Sequence, residues 1–232
     1  MNTAALGSLY PHLAARVPDE GRLDAALREA LLAKCCDSVE VKSRFFNTQA
    51  DAVLRAAHLL ADSYRAGGRL YTMGNGGSSC DAAHIAVEFQ HPVTAGRPAL
   101  PAQNLAQDMA MISAVGNDIG FGEVFARQMP GLIRLGDVAL GVSTSGNSVN
   151  VLRGLEVAKS LGARTLALAG GDSGKGGEMA RAGFVDLCLV VASDSIHRVQ
   201  ETHVAIYHVL WDLVHSLLAD DRGGPRPAPS PP

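Results

Sequence analysis

Nothing in this chain of 232 residues offers a surface to a nucleic-acid backbone. A formal charge of -3 leaves no basic excess, and aromatic residues at 5% supply few platforms for base stacking, so nucleic acid is excluded as a direct ligand. Long apolar runs are also missing. Those present are strand-sized and broken by glycine or charge, and the N-terminus lacks the basic-then-apolar pattern of a secretory signal, which predicts a cytoplasmic protein that does not engage a membrane. The cysteines Cys35, Cys36, Cys80 and Cys188 show no C-x-x-C spacing, and the adjacent pair is poorly placed to bridge to itself. They suit a reducing compartment, with Cys188 read as a strand-core residue. The dinucleotide fingerprint G-x-G-x-x-G is absent, and no lysine follows the glycine-rich loop as it would in a P-loop, so no nucleotide cofactor is implied.

What is present is enough apolar content, 47%, to bury one sizeable core. Residues 1–37 read as an N-terminal extension with a short helix from about Leu23 to Lys34, and a longer helix follows from Ser38 to Arg65. Residues 38–220 then alternate strands and helices. Strands are expected at Arg69–Met73, near Asn104, at Val138–Val142, Thr165–Ala169 and Val185–Val191. Helices are expected at Ser79–Gln90, Asp108–Val115, Val149–Leu161 and Ser195–Leu218. This alternation predicts an α/β fold, a doubly wound and mostly parallel sheet flanked by helices, with the N-terminal helices in front of it. Ligands of such sheets sit beyond the carboxyl ends of the strands. Residues 221–232 are proline-rich and are expected to be disordered.

Two loops fall at that end. Ser143-Thr144-Ser145-Gly146-Asn147-Ser148 places four hydroxyls and a glycine between a buried strand and a helix. Unpaired N–H groups and the positive end of the helix dipole favour an anion there, and Ser and Thr donate to its oxygens without a lysine; one serine would serve as an N-cap, but four exceed that need. The second loop, Gly74-Asn75-Gly76-Gly77-Ser78, lets backbone approach a ligand closely. On the helix after it, His84 and Glu88 stand four residues apart on one face, a spacing that suits a shared metal ion or a proton-transfer pair but also an ordinary surface pair. His203 and Trp211 read as packing residues, and Lys175 as a solvent-exposed loop lysine.

Taken in order, Gly74–Ser78, Asp81-Ala82-Ala83-His84, Glu88, Val115-Gly116-Asn117-Asp118, Ser143–Ser148 and Arg198-Val199-Gln200-Glu201 with His208 resemble the motifs of the sugar isomerase (SIS) domain family. Within it they are most similar to the phosphoheptose isomerases, from about Ala50 to Leu218. The resemblance implies a flavodoxin-like SIS domain over residues 38–220. It implies substrate contacts from Asn75, Gly76, Gly77, Glu88, Asn117, Asp118, Ser143, Thr144, Ser145, Ser148 and Gln200, the hydroxyl residues holding a phosphate. It further implies one Zn2+ per site on His84, Glu88, Gln200 and His208, an acid/base pair of Glu88 and His208, and a homotetramer. The implied reaction converts D-sedoheptulose 7-phosphate to D-glycero-D-manno-heptose 7-phosphate. A carboxylate and an imidazole suffice for it, since moving a carbonyl between adjacent carbons requires proton removal and return through an enediol-like intermediate.

Gln200 and His208 lie eight residues apart. On one continuous helix that is about 12 Å of axial separation, awkward for one ion, and it predicts a site assembled from more than one chain. After Glu88 the sequence runs Phe89-Gln90-His91-Pro92 where many members carry a Leu-Thr-Gly-Arg type segment, and proline supplies no cation. His197 stands where some members have Asp. Two alternatives remain at this point: a non-catalytic SIS-domain protein that binds phosphosugars or associates with a replication initiator, and an isomerase of another phosphosugar.

Overall fold

In the computed structural model, residues 20–171 and 174–220 are described. The expected proline-rich tail and most of the N-terminal extension lie outside them. By internal contacts the chain divides into residues 1–39 and 40–232. The first helix, α1 (Glu20–Arg65), is continuous over 46 residues, so the expected break at Cys35-Cys36-Asp37 is absent. That segment holds neither glycine nor proline, and nothing in it stops helix propagation. In the 1–39 unit Leu23, Leu27 and Leu31 are all exposed. In the second unit α1 buries Val41, Phe45, Val53, Ala56, Ala57, Leu60 and Ala61, a stripe at helical spacing.

The remaining elements follow as strand and helix in turn. They are β1 (Leu70–Gly74), α2 (Gly77–Gln90), β2 (Ala102–Asn104), α3 (Met109–Asp118), a short α4 (Met129–Leu132) after two 3-10 turns, β3 (Val138–Ser143), α5 (Val149–Ser160), β4 (Arg164–Ala169), β5 (Leu187–Val190) and α6 (Ile196–Asp220). The five strands form one parallel sheet in the order β2-β1-β3-β4-β5. This is the flavodoxin-like order, and its topological switch point lies between β1 and β3. The doubly wound expectation therefore holds, with the ends of the strands and of the helices after β1 differing by at most three residues from the sequence reading.

Alternation along the strands builds two cores. Leu70, Val138, Leu140, Val142, Leu166 and Leu168 face α1, α2 and α6, while Tyr71, Met73, Ala139, Ala167 and Ala169 face α5 and the α3–α4 region. The second face is paved with small residues, and α5 sits close against it. A Cβ on Gly141 would lie 2.6 Å from Val151, and one on Gly154 2.6 Å from the Met73 sulfur. Cys188 is half-buried at this face, and burial pushes its thiol up to about 12, which keeps it protonated and inert.

Candidate active site

The loops after β1 and β3 leave the sheet on either side of the switch point. The hydroxyl loop is tied to itself: Ser143 Oγ lies 2.9 Å from Ser148 Oγ and 3.4 Å from Ser145 Oγ. The Gly146 and Asn147 N–H groups donate to Ser143 and Ser145. Gly146 has φ +68°, and a Cβ there would meet the Gly176 carbonyl at 2.0 Å, so only glycine fits. Ser148 occupies the N-cap of α5 with extended backbone, yet its side chain makes no capping bond. Its hydroxyl and the N–H groups of Val149 and Asn150 are what a phosphate would need, the Val151 N–H being taken by Asn150 Oδ1.

The glycine loop is joined to the start of α5, directly after this loop, by a two-way amide pair. Asn75 Nδ2 donates to Asn150 Oδ1 at 2.7 Å, and Asn150 Nδ2 returns the bond at 2.9 Å. Gly76 caps α2 with φ +54°. Gly77 is small for a different reason, since a Cβ would stand 2.5 Å from the Gln200 amide nitrogen. Asn150 was missed by the sequence reading; its place as the second residue of α5, just behind the N-cap, was the available signal.

From there α2 and α6 run side by side in the same direction. Gln200 Nε2 donates to Asp81 Oδ2 at 3.2 Å. His84 meets both Tyr207 and His208, with ring centroids 5.2 and 5.1 Å away. Trp211 Nε1 donates to the Glu88 carbonyl at 2.8 Å. Trp211 is buried under the Arg97 guanidinium, a packing role as expected. Asp81 is 5% exposed, and burial raises its carboxyl above the usual range, partly offset by the Gln200 bond and the nearby His84. Tyr207 is buried, and burial together with the carboxylates of Asp81 and Glu88 raises its phenol, which stays protonated.

The register brings three expected residues together in one chain. One ligand atom each from His84, Glu88 and His208 lies within 4.8 Å of the others. His84 Nε2 is 3.1 Å from Glu88 Oε1, and its Nδ1 is 2.9 Å from the Tyr207 hydroxyl. Two imidazoles and a carboxylate, with a hydrogen-bond partner on the far nitrogen of one imidazole, form a donor set that fits zinc. Gln200 is not brought to these atoms by the same register: its side chain lies against Gly77 and Asp81, about two helical turns from His208. His203 stays out of the cluster. It is fully buried, its Nε2 donates to the Ala169 carbonyl at 3.2 Å, and burial lowers it to about 4, so it is a neutral packing residue. Asn117 and Asp118 end α3, where the Asn117 amide donates to Asp118. Among the described residues no hydrogen bond joins either to the two loops or to the cluster. Lys175 is exposed, as read from the sequence.

Asp81 and Tyr207 had not been given roles from the sequence. Asp81 shares a face of α2 with Gly77, His84 and Glu88, and Tyr207 stands two turns beyond Gln200 on α6; that shared spacing could have found both.

Comparison with known proteins places the chain in a family. A SIS domain family model matches residues 36–170. The phosphoheptose isomerase of Thermodesulfovibrio yellowstonii is 40% identical over 182 residues, covering 78% of this chain and 88% of that protein. That of Aquifex aeolicus is 40% identical over 184 residues, covering 79% and 94%. Among solved structures, the phosphoheptose isomerase GmhA from Neisseria gonorrhoeae superposes with a TM-score of 0.75 at 33% identity, over 82% of this chain and 99% of that one. The phosphoheptose isomerase from Francisella tularensis gives 0.76 at 33% identity, over 81% and 97%. The chain therefore belongs to the SIS domain family, among the phosphoheptose isomerases.

Proposed function

We propose that the protein isomerises D-sedoheptulose 7-phosphate to D-glycero-D-manno-heptose 7-phosphate. The observation that carries this reading is the cluster itself. A pure phosphosugar-binding module has no use for a carboxylate and two imidazoles converging within 4.8 Å, whereas a ketose-to-aldose isomerase needs a carbon base and an oxygen proton carrier.

Ser143, Thr144, Ser145 and Ser148, with the first-turn N–H groups of α5, grip the phosphate and leave the sugar's carbonyl end free. Glu88 takes a proton from C1, beside the C2 carbonyl, and returns it to C2 once the enediol has formed. His208 moves the hydroxyl protons between O1 and O2 as the double bond shifts. Asn75, Gly76, Gly77, Asn117, Asp118 and Gln200 complete the sugar's surroundings in this assignment. His84, Glu88 and His208 would hold zinc, with Gln200 as fourth ligand only if it is donated from a neighbouring chain; when bound, the ion polarises the carbonyl as a Lewis acid.

The site is shared between chains of a tetramer. Gly77 and Glu88 lie eleven residues apart on α2, about 16 Å along its axis, so one chain spreads its loop and its base widely. Apolar residues remain exposed beside both parts: Phe121 and Val149 near the hydroxyl loop, Val87 and Val209 near the cluster. Such surfaces are covered when chains associate. Residues 38–220 form the SIS domain and residues 1–37 an extension to it. A cytoplasmic location suits the free thiols of Cys35, Cys36 and Cys80, and no helix among the described residues is long and apolar enough to cross a membrane.

Incubation of purified protein with sedoheptulose 7-phosphate, with and without a chelator, tests the reading by NMR detection of the aldose. Absence of product in both arms would refute it. Full activity in a monodisperse monomer would refute the shared site.

A further inference from the structure

The phenol of Tyr207 is buried between the two helices that carry the cluster, and its oxygen lies 2.9 Å from His84 Nδ1. The other ring nitrogen, Nε2, faces Glu88 Oε1 at 3.1 Å. A neutral imidazole carries one hydrogen. If Nε2 gives its lone pair to a cation, that hydrogen must sit on Nδ1, where the Tyr207 hydroxyl is the protein acceptor in reach of this half-exposed ring. A hydroxyl suits that position, because it offers lone pairs and a rotating O–H. It can receive from Nδ1–H when a cation is bound, and donate to Nδ1 when Nε2–H points to Glu88 instead. The ring of Tyr207 also packs edge-on against both imidazoles, 5.2 Å from His84 at 71° and 4.8 Å from His208 at 65°. The hydroxyl can therefore be removed while the contacts that locate the rings are kept.

We infer that Tyr207 is a positioning residue for the cluster: its hydroxyl holds the ring orientation of His84 and accepts from Nδ1–H in the cation-binding tautomer, so that Nε2 is presented toward Glu88 and His208. The inference rests on the reading of His84, Glu88 and His208 as a divalent-cation site.

The test is zinc binding by the full chain, followed by competition with a chromophoric chelator, for wild type, Tyr207→Phe and His84→Ala. Wild type is expected to bind zinc in a His84-dependent way. Tyr207→Phe should bind about 10- to 100-fold more weakly, the range for loss of a hydrogen-bond partner behind a metal-ligating histidine. Its zinc-free melting temperature should fall by only a few degrees, the cost of one hydrogen bond, since the ring is retained. Nitrogen-15 NMR of zinc-loaded wild type should show His84 protonated at Nδ1, in a slowly exchanging hydrogen bond. Wild-type affinity in Tyr207→Phe, or a His84 Nδ1 that is unprotonated or freely exchanging in the loaded wild type, overturns the role of Tyr207 and leaves the cation site standing. Zinc affinity that survives His84→Ala unchanged, or no affinity in wild type, overturns both.

Discussion

The hydroxyl loop and the His84–Glu88–His208 cluster are made in opposite ways. The loop is local: Ser143 bonds to both Ser145 and Ser148 within six residues, between the end of β3 and the start of α5. The cluster comes from two helices more than a hundred residues apart in sequence, and it exists because α2 and α6 run together in fixed register. A local loop can persist wherever a strand meets a helix N-terminus, and so it belongs to phosphate binding in general. A cluster that needs tertiary pairing is the more specific statement about chemistry.

The largest expected effect separates the two. Glu88→Gln should lower kcat by about 10²- to 10⁴-fold, the contribution of a positioned proton carrier, while calorimetry still detects substrate binding through the loop. Residual activity near wild type would remove Glu88 as the base. Ser148→Ala is the reverse experiment. Losing one hydrogen bond to a charged phosphate, about 1.5–3 kcal/mol, should raise KM by about 10- to 100-fold with kcat nearly kept. A fall in kcat at unchanged KM would mean that loop and cluster are not separable.

His203 sharpens the comparison through pH. It is neutral in the fold, with its value lowered to about 4 by burial from 6.5. Between these values the unfolded chain holds a proton that the folded chain does not, so stability falls as pH drops through that window, by up to about 3 kcal/mol. His203→Gln removes that proton uptake and should flatten the acid limb of denaturant-derived stability between pH 6.5 and 4. A limb unchanged in the variant would assign the acid sensitivity elsewhere. At the small end, Lys175→Ala should leave KM for the sugar phosphate unchanged in steady-state assays, because the side chain is exposed and the hydroxyls and helix N-terminus suffice. A clear rise would place a cation in the phosphate site.

The same contrast decides what could be read from the sequence. The buried strands, the glycines at 74–77 and the hydroxyls at 143–148 carry their meaning in consecutive residues. The parallel doubly wound sheet was legible from their alternation with helices. The continuity of α1 was not. Helical spacing shows a helix but gives no sign of an end where capping residues such as Asp37 and Ser38 occur mid-helix, and here the structure runs straight through them. His84 and Glu88 were legible as one face of α2. Their meeting with His208 was implied by resemblance alone, because no local pattern states which helices lie side by side. Tyr207 and Asp81 escaped for the same reason: each matters through a partner on the other helix.

The pairing of α2 with α6, from Gly77 against Gln200 to Phe89 against His215, acts as a ruler with fixed divisions. Deleting one residue between Gln200 and His208 would turn the distal part of α6 by about 100° and draw it back by about 1.5 Å, taking His208 away from His84 while Gln200 kept its place. Inserted or deleted residues in the surface turns would not disturb that ruler. The chain can therefore vary in its connections, but along these two helices its length is set by the chemistry they carry.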